Sequence, residues 1–225
     1  MAPEAAVLHA VDLGVDYRVG DRSVTALDGV SLVVLPGSFT VLAGPSGPGK
    51  SSLLRSLGLL DRPSRGALQV AGVDVLALSD RRRRRMRRER LAYVHQRPVA
   101  NLVDDLTAME QVVFARACRG MPPGDPEAVL ARFGLAHRAA APPAALSGGE
   151  QQRLAVAMAS AASPAVLFAD EPTAELDRRL ADEVVAALVA AADGGGAVVA
   201  ASHDPALIGA ATHVVRLHEG RRVDE

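Results

Sequence analysis

Cysteine and tryptophan are nearly missing from this chain. Among 225 residues there is one cysteine, Cys118, and no tryptophan. A single thiol excludes an internal disulfide and a cysteine-built zinc site, which suits a reducing compartment, and its expected place is a small apolar position in the interior. Aromatic residues make up 3% of the sequence, too few rings to stack a run of bases, and 25 basic residues nearly cancel 26 acidic ones. No overall field therefore draws the chain to nucleic acid, and any partner must be chosen locally. No stretch approaches the roughly 18 uninterrupted apolar residues of a membrane span, and Met1-Ala2-Pro3-Glu4-Ala5 lacks the basic segment and apolar core of a leader. The chain is expected neither to enter nor to cross a membrane by itself. What it has in quantity is globular material, 49% hydrophobic and 23% charged, enough for a sizeable core.

The most telling stretch is Gly44-Pro45-Ser46-Gly47-Pro48-Gly49-Lys50-Ser51. The apolar run Phe39 to Ala43 before it reads as a buried strand, and Ser52 to Leu57 after it reads as the start of a helix. Strand, glycine loop and helix in that order form a phosphate cradle, because glycines let successive N–H groups point inward and the helix N-terminus adds partial positive charge. The spacing G-x-x-x-x-G-K-S assigns Lys50 to the β- and γ-phosphates and Ser51 to Mg²⁺.

Short strands are expected at Val7 to Val11 and Ser31 to Leu35, a mostly β leading layer broken by Gly20-Asp21 and Pro36-Gly37. In it Tyr17 is either a half-buried packing residue or a ring face for adenine. After the first helix, Ala67 to Val70 reads as a strand. Arg81 to Arg85, Arg87, Arg88 and Arg90 follow, eight arginines within ten positions. With no interleaved aromatics and a compensating charge elsewhere, the run is read as a solvated helix face, with a lesser role at membrane headgroups open. Leu91 to His95 then reads as a strand delivering Gln96. From Arg97 to about Ala162 the texture turns helical, with helices over 107–119 and 126–135, an insertion into an α/β core. The core resumes in the apolar runs ending at Asp170-Glu171 and at Ser202-His203. In a parallel sheet, ligands bind at the carboxyl ends of strands, where Gly44, Gln96, Asp170 and His203 all fall.

An acidic pair at a strand end beside a P-loop has a defined use. Asp170 can support Mg²⁺ and Glu171 can deprotonate water for in-line attack on a γ-phosphate. Leu146-Ser147-Gly148-Gly149-Glu150-Gln151-Gln152-Arg153 is more specific still. Ser147 and Glu150 make a capping box, and two glycines inside it let something approach the backbone closely. An anion there would meet free N–H groups, yet the chain already has its cradle, so this second site needs a different phosphate.

The octet Leu146 to Arg153, with the P-loop before it and the strand ending at Asp170-Glu171 after it, resembles the ATP-binding cassette (ABC) nucleotide-binding subunits, from about Leu8 to Gly220. The resemblance implies an α/β fold, a P-loop NTPase (RecA-like) core with an antiparallel β leading layer and an inserted α-helical subdomain. It implies one ABC ATPase domain over residues 1–225, with its core at about 1–96 and 164–225 and the helical subdomain at about 97–163. It also implies two cassettes joined head to tail, each signature helix capping the γ-phosphate on the other's P-loop. Carried over by residue, Gly44, Ser46, Gly47, Gly49, Lys50, Ser51 and Ser52 hold phosphates, Tyr17 stacks on adenine, and Gln96 senses Mg²⁺ and the γ-phosphate. Ser147, Gly148 and Gly149 cap the partner's ATP, and Asp177 lies at the dimer seam. Glu171 is the general base, His203 contacts the γ-phosphate, and Ser51, Gln96 and Asp170 serve the metal. His9, His137, His213 and His218 are assigned no task.

The sequence departs from that family at three places. Pro48 stands where a residue with an N–H is usual, a loss of roughly 1.5–3 kcal/mol if that N–H bonds a phosphate. Ser52 replaces a more usual threonine, and Ala157 to Ser160 lack the arginine commonly found there. Residues 101–107 and 59–63 are similar to the branch of lipoprotein-release, macrolide-export and cell-division cassettes. The expected function is an ATP-hydrolysing subunit, with ATP and Mg²⁺ as cofactors. It would sit on the cytoplasmic face of a membrane through a separate permease, as a dimer without nucleic acid. A regulatory cassette acting on a membrane partner without transport is the alternative.

Overall fold

A computed structural model describes residues 6–20, 22–45, 47–174 and 176–223; Ser46 lies outside them. The chain opens with a long hairpin, β1 (Leu8–Val19) and β2 (Arg22–Val34). Both strands exceed their expected length because pairing continues past the buried Val15 through the exposed pairs Asp16 with Thr25, Tyr17 with Val24 and Arg18 with Ser23, where no core face marks a strand. Irregular register between Ala10 and Asp16, with Asp12 at φ 50°, also breaks the period-two pattern. β4 (Arg65–Val70) pairs with β1 and β5 (Val73–Asp74) with β4, completing an antiparallel sheet in the order β2-β1-β4-β5.

The second sheet combines β3 (Phe39–Ala43), β6 (Leu91–Val94), β7 (Val166–Asp170), β8 (Ala197–Ala201), β9 (His213–His218) and β10 (Arg221–Val223) in the order β10-β9-β3-β8-β7-β6. Its pairings are parallel except that of β10 with β9. Alternate residues feed two cores. Val41, Ala43, Leu167, Ala169, Val198 and Ala200 face a cluster built with α3 (Ala108–Ala117), α5 (Gly148–Ala161) and α6 (Arg178–Asp193). Leu42, Val166, Phe168, Ala197, Val199 and Ala201 face a cluster shared with β1, β2 and α1 (Pro48–Leu57). A sheet covered on both faces needs apolar residues in succession, which is why these strands read as unbroken runs.

Between β6 and β7 the chain is helical, as expected, with α4 (Pro126–Arg132) between α3 and α5. Leu130, Phe133, Leu135 and Leu146 join the first core through α5, so this segment packs on the sheet's own cluster. Cys118 is exposed, contrary to the expected interior position, because α3 ends at Ala117 and the cysteine falls on the exit turn. The arginine run forms α2 (Asp80–Arg90), but Arg83 is buried, so the face is not wholly solvated. The chain closes its second sheet through α7 (Pro205–Ala210). No helix among the described residues is long and apolar enough to cross a membrane.

Candidate functional site

Since β6, β7, β8 and β3 are parallel neighbours, their carboxyl ends share one edge, and the loops leaving it carry Gln96, Asp170-Glu171, Ser202-His203 and Gly44. Gly44 has φ 151°, and a Cβ there would come within 2.2 Å of the Leu217 carbonyl oxygen, so the passage of β9 demands glycine. α1 starts at Pro48, a first-turn position whose N–H the helix itself would not use.

Lys50 is the only lysine in the sequence and is buried. Its Nζ donates to the carbonyls of Gly44 at 3.0 Å and Pro45 at 2.8 Å and lies 3.6 Å from Glu171 Oε1. Ser51 Oγ donates to Asp170 Oδ1 at 3.0 Å, and Tyr93 from β6 donates its hydroxyl to Asp170 Oδ2 at 3.1 Å. Burial and the adjacent carboxylate push the Tyr93 phenol above the usual tyrosine range, so it remains a donor. Glu171 adopts φ 43°, a left-handed conformation disfavoured for a residue with a side chain, while its N–H is bound to the Ala201 carbonyl at 2.9 Å. Its carboxylate meets His203 Nδ1 at 3.2 Å. A cation, a hydroxyl, two carboxylates and an imidazole therefore converge on one sheet edge, a set suited to holding phosphates and directing water.

Away from that cluster, Ser147 caps α5 in the expected box. Glu150 N–H donates to Ser147 Oγ at 3.3 Å and Ser147 N–H donates to Glu150 Oε2 at 2.8 Å. The Ser147 N–H and then the Arg138 guanidinium hold the Glu150 carboxyl down at about 2. Ser147 and Gly148 are exposed. Gly149 is buried, and a Cβ on it would meet Leu180 of α6 at 2.9 Å, so the group approaching its backbone is a neighbouring helix. Asp177 caps α6 by accepting from Leu180 N–H at 3.0 Å. Among the described residues the polar contacts of the signature segment stay within its cap, run to the helical segment or, through the Arg153 pair with Glu183, reach α6, and none joins it to the P-loop.

The family model described as ABC transporter matches residues 27–174. The chain belongs to the ABC transporter ATP-binding family. The cassette is 41% identical over 212 residues to the lipoprotein-releasing system ATP-binding protein LolD of Granulibacter bethesdensis, covering 92% of each chain. It is 36% identical over 221 residues to the macrolide export ATP-binding/permease protein MacB of Syntrophobacter fumaroxidans, covering 95% of this chain but 31% of that one. Its fold matches the dimeric post-hydrolysis state of the ATP-binding cassette MJ0796 bound to ADP and Pi, with TM-score 0.83 and 29% identity across 96% of each chain. The cassette is accordingly an ATP-binding ATPase with a P-loop α/β fold, of the lipoprotein-release and macrolide-export branch.

The remaining site residues sit around this centre. The Tyr17 hydroxyl of the cassette lies 3.2 Å from both Ser52 Oγ and Asp61 Oδ2, and Arg55 holds Asp61 with two bonds at 2.7 and 2.9 Å. Gln96 is exposed on a loop fastened by Asn101, which accepts from His95 N–H at 2.8 Å and donates to the His95 carbonyl at 3.1 Å. A cavity of about 420 Å³ beside the P-loop is lined by Thr25, Ala26, Gly47, Gly49, Lys50 and the turn at His218–Gly220. His218, given no task from sequence, thus borders the cradle, and His137 Nε2 lies 3.6 Å from Glu150 Oε1. Sequence reasoning missed Tyr93 as well; its only signal was a position three residues before Gln96 on a strand.

Proposed function

We propose that this cassette is the ATP-hydrolysing subunit that powers a membrane permease, and that two copies close head to tail around ATP. One observation carries this reading: Lys50, Ser51, Asp170, Glu171 and His203 form one contact cluster, while the exposed Ser147-Gly148 edge of α5 lies outside it and, among the described residues, makes no hydrogen bond to it. A phosphate-binding helix end with no phosphate of its own suits a partner's nucleotide. Relatives are named for lipoprotein release and macrolide export, and the matched structure is described as dimeric.

In this reading Gly44, Gly47, Gly49, Lys50 and Ser52 cradle the phosphates and Tyr17 stacks on adenine. Ser51, Asp170 and Gln96 are the oxygen donors for Mg²⁺, a hard-ligand set that suits it. Among the described residues no group of three or more His, Cys, Asp or Glu is placed to hold a metal, so the ion would share its ligands with the nucleotide. When bound, Mg²⁺ offsets phosphate charge. Glu171 takes the proton from the attacking water, with His203 and Lys50 beside it, and Ser147, Gly148 and Gly149 cap the opposite copy's ATP with Asp177 at the seam. Residues 97–163 form the helical subdomain and about 1–96 and 164–225 the core of one domain. The cassette would sit on the cytoplasmic face of the membrane through its permease.

Glu171→Gln tests this reading. Turnover should fall by orders of magnitude while an ATP-bound dimer accumulates in size-exclusion chromatography. A variant with full activity would remove Glu171 from the base role. Isolation of the cassette from its own membranes should bring an integral-membrane permease with it.

A further inference from the structure

The arginine helix α2 has no part in the site described above, yet its outer face is organised. Four contacts anchor its inner side. The Arg83 guanidinium donates to the Asp61 carbonyl, and Arg87 Nη1 donates to the Leu59 carbonyl at 2.9 Å. Met86 packs on the second core, and the Arg90 carbonyl accepts from Ala165 N–H at 2.7 Å. With that side fixed, Arg81, Arg84, Arg85 and Arg88 follow the i, i+3, i+4, i+7 spacing of a single helix face and are exposed. The stripe is about 10 Å long at 1.5 Å per residue. Among the described residues Glu89 is the acid ion-paired with it, 2.8 Å from Arg85 and 3.8 Å from Arg88, and Asp80 opens the helix just before it. A helix face meant only for solvent would alternate its charges to relieve repulsion; this one concentrates one sign.

We infer that the Arg81-Arg84-Arg85-Arg88 stripe is a docking surface for the phosphate headgroups of an anionic phospholipid bilayer. This inference rests on the reading that the cassette works at a membrane. Guanidinium groups match phosphate oxygens two at a time, and a rigid helix presents them without ordering a loop. A nucleic acid fits less well. Strong binding to a duplex neutralises six to ten phosphates along an extended track, roughly, and this stripe is short. Beyond it the chain is acidic: α2 holds eight of the 25 basic and two of the 26 acidic residues, leaving 17 against 24 elsewhere. No aromatic residue interleaves the arginines to stack on a base. Headgroups can gather under a short stripe, and charges farther away than a Debye length of about 8 Å are largely screened.

The test is flotation of the full chain with vesicles of phosphatidylcholine alone or mixed with phosphatidylglycerol. The wild type should float with the mixed vesicles, not with the neutral ones, and release as salt rises. Each arginine near an anionic surface contributes about five-fold in binding, so R81Q/R84Q/R85Q/R88Q should lose two to three orders of magnitude, roughly. Arg83, Arg87 and Met86 are kept, so the variant should melt like the wild type and retain its ATP hydrolysis. Equal binding by the folded variant would overturn the proposal, as would a wild type that floats with neither vesicle. Displacement from the mixed vesicles by duplex DNA at equal phosphate concentration would reassign the stripe to nucleic acid and overturn it too. No permease is present in these vesicles, so a negative result leaves the permease pairing untouched. Failure to recover a permease from membranes, with vesicle binding intact, would leave the stripe standing.

Discussion

The hydroxyl of Tyr93 donates to one oxygen of Asp170 while Ser51 donates to the other, so the carboxylate proposed to support the metal is fixed from β6 and from α1 at once. Phenylalanine at position 93 would keep the ring against Phe168 and His95 and delete only the bond. A hydrogen bond to a charged group is worth about 1.5–3 kcal/mol, and here the loss falls on Asp170's orientation instead of on the fold. Tyr93→Phe should therefore raise the Mg²⁺ concentration for half-maximal ATP hydrolysis by about ten-fold, with KM for ATP at saturating Mg²⁺ nearly unchanged. Direct Mn²⁺ binding should weaken in parallel, and an unaltered metal requirement would show the bond to be packing detail. Pro48 poses the opposite case. At the first position of α1 its missing N–H costs the helix nothing, so only the nucleotide can register the loss. Pro48→Ser is expected to leave or improve ATP affinity measured by nucleotide titration, and a marked loss would show that the proline suits its loop better than an N–H does.

At the scale of elements, α5 depends on a charge. Glu150 is ionised far below its ordinary value of 4.5 because the Ser147 N–H and then Arg138 bind its carboxylate. A carboxyl with a depressed folded value contributes stability that is complete above 4.5 and is lost as pH falls toward about 2. Thermal melts should show Glu150→Gln less stable than the wild type at pH 7 and the gap closing below about pH 4. A constant gap would mean that the carboxylate's charge contributes nothing. The cap itself was legible in the sequence, as were the parallel strands β3, β6, β7 and β8 and the residues at their ends, because apolar runs that stop at glycine, glutamine, acid or histidine need no partner to be read; β9, with histidines at both ends and Arg216 inside, was not. Contacts between elements were not. Tyr93 and Asp170 are 77 positions apart, Gly149 and Leu180 meet across two helices, and a single chain carries no mark of either register. The inward turn of Arg83 and Arg87 was hidden for a related reason: in a run of arginines, residue type does not distinguish the face that meets a carbonyl from the face that meets solvent.

For the whole molecule, the decisive property is whether a site is completed by a second copy. The P-loop cluster and the exposed start of α5 lie on separate elements with no hydrogen bond between them among the described residues, so damage to each can be placed in different chains. Lys50→Ala removes the cation from the cradle. Gly148→Asp puts a carboxylate at the start of α5, where the nearest side chain to a new Cβ is Leu176 at 3.7 Å, so the helix tolerates it while a partner's phosphate is repelled. Each variant alone has two defective sites in any dimer it forms and should be inactive. In a head-to-tail pair of one with the other, both defects fall in the same site and the second site is intact. Equal mixing should thus restore roughly a quarter of the wild-type rate, since half the dimers are mixed and each has one working site of two. If each site were built within one chain, the mixture would stay as inactive as its components, and the shared-site reading would fail.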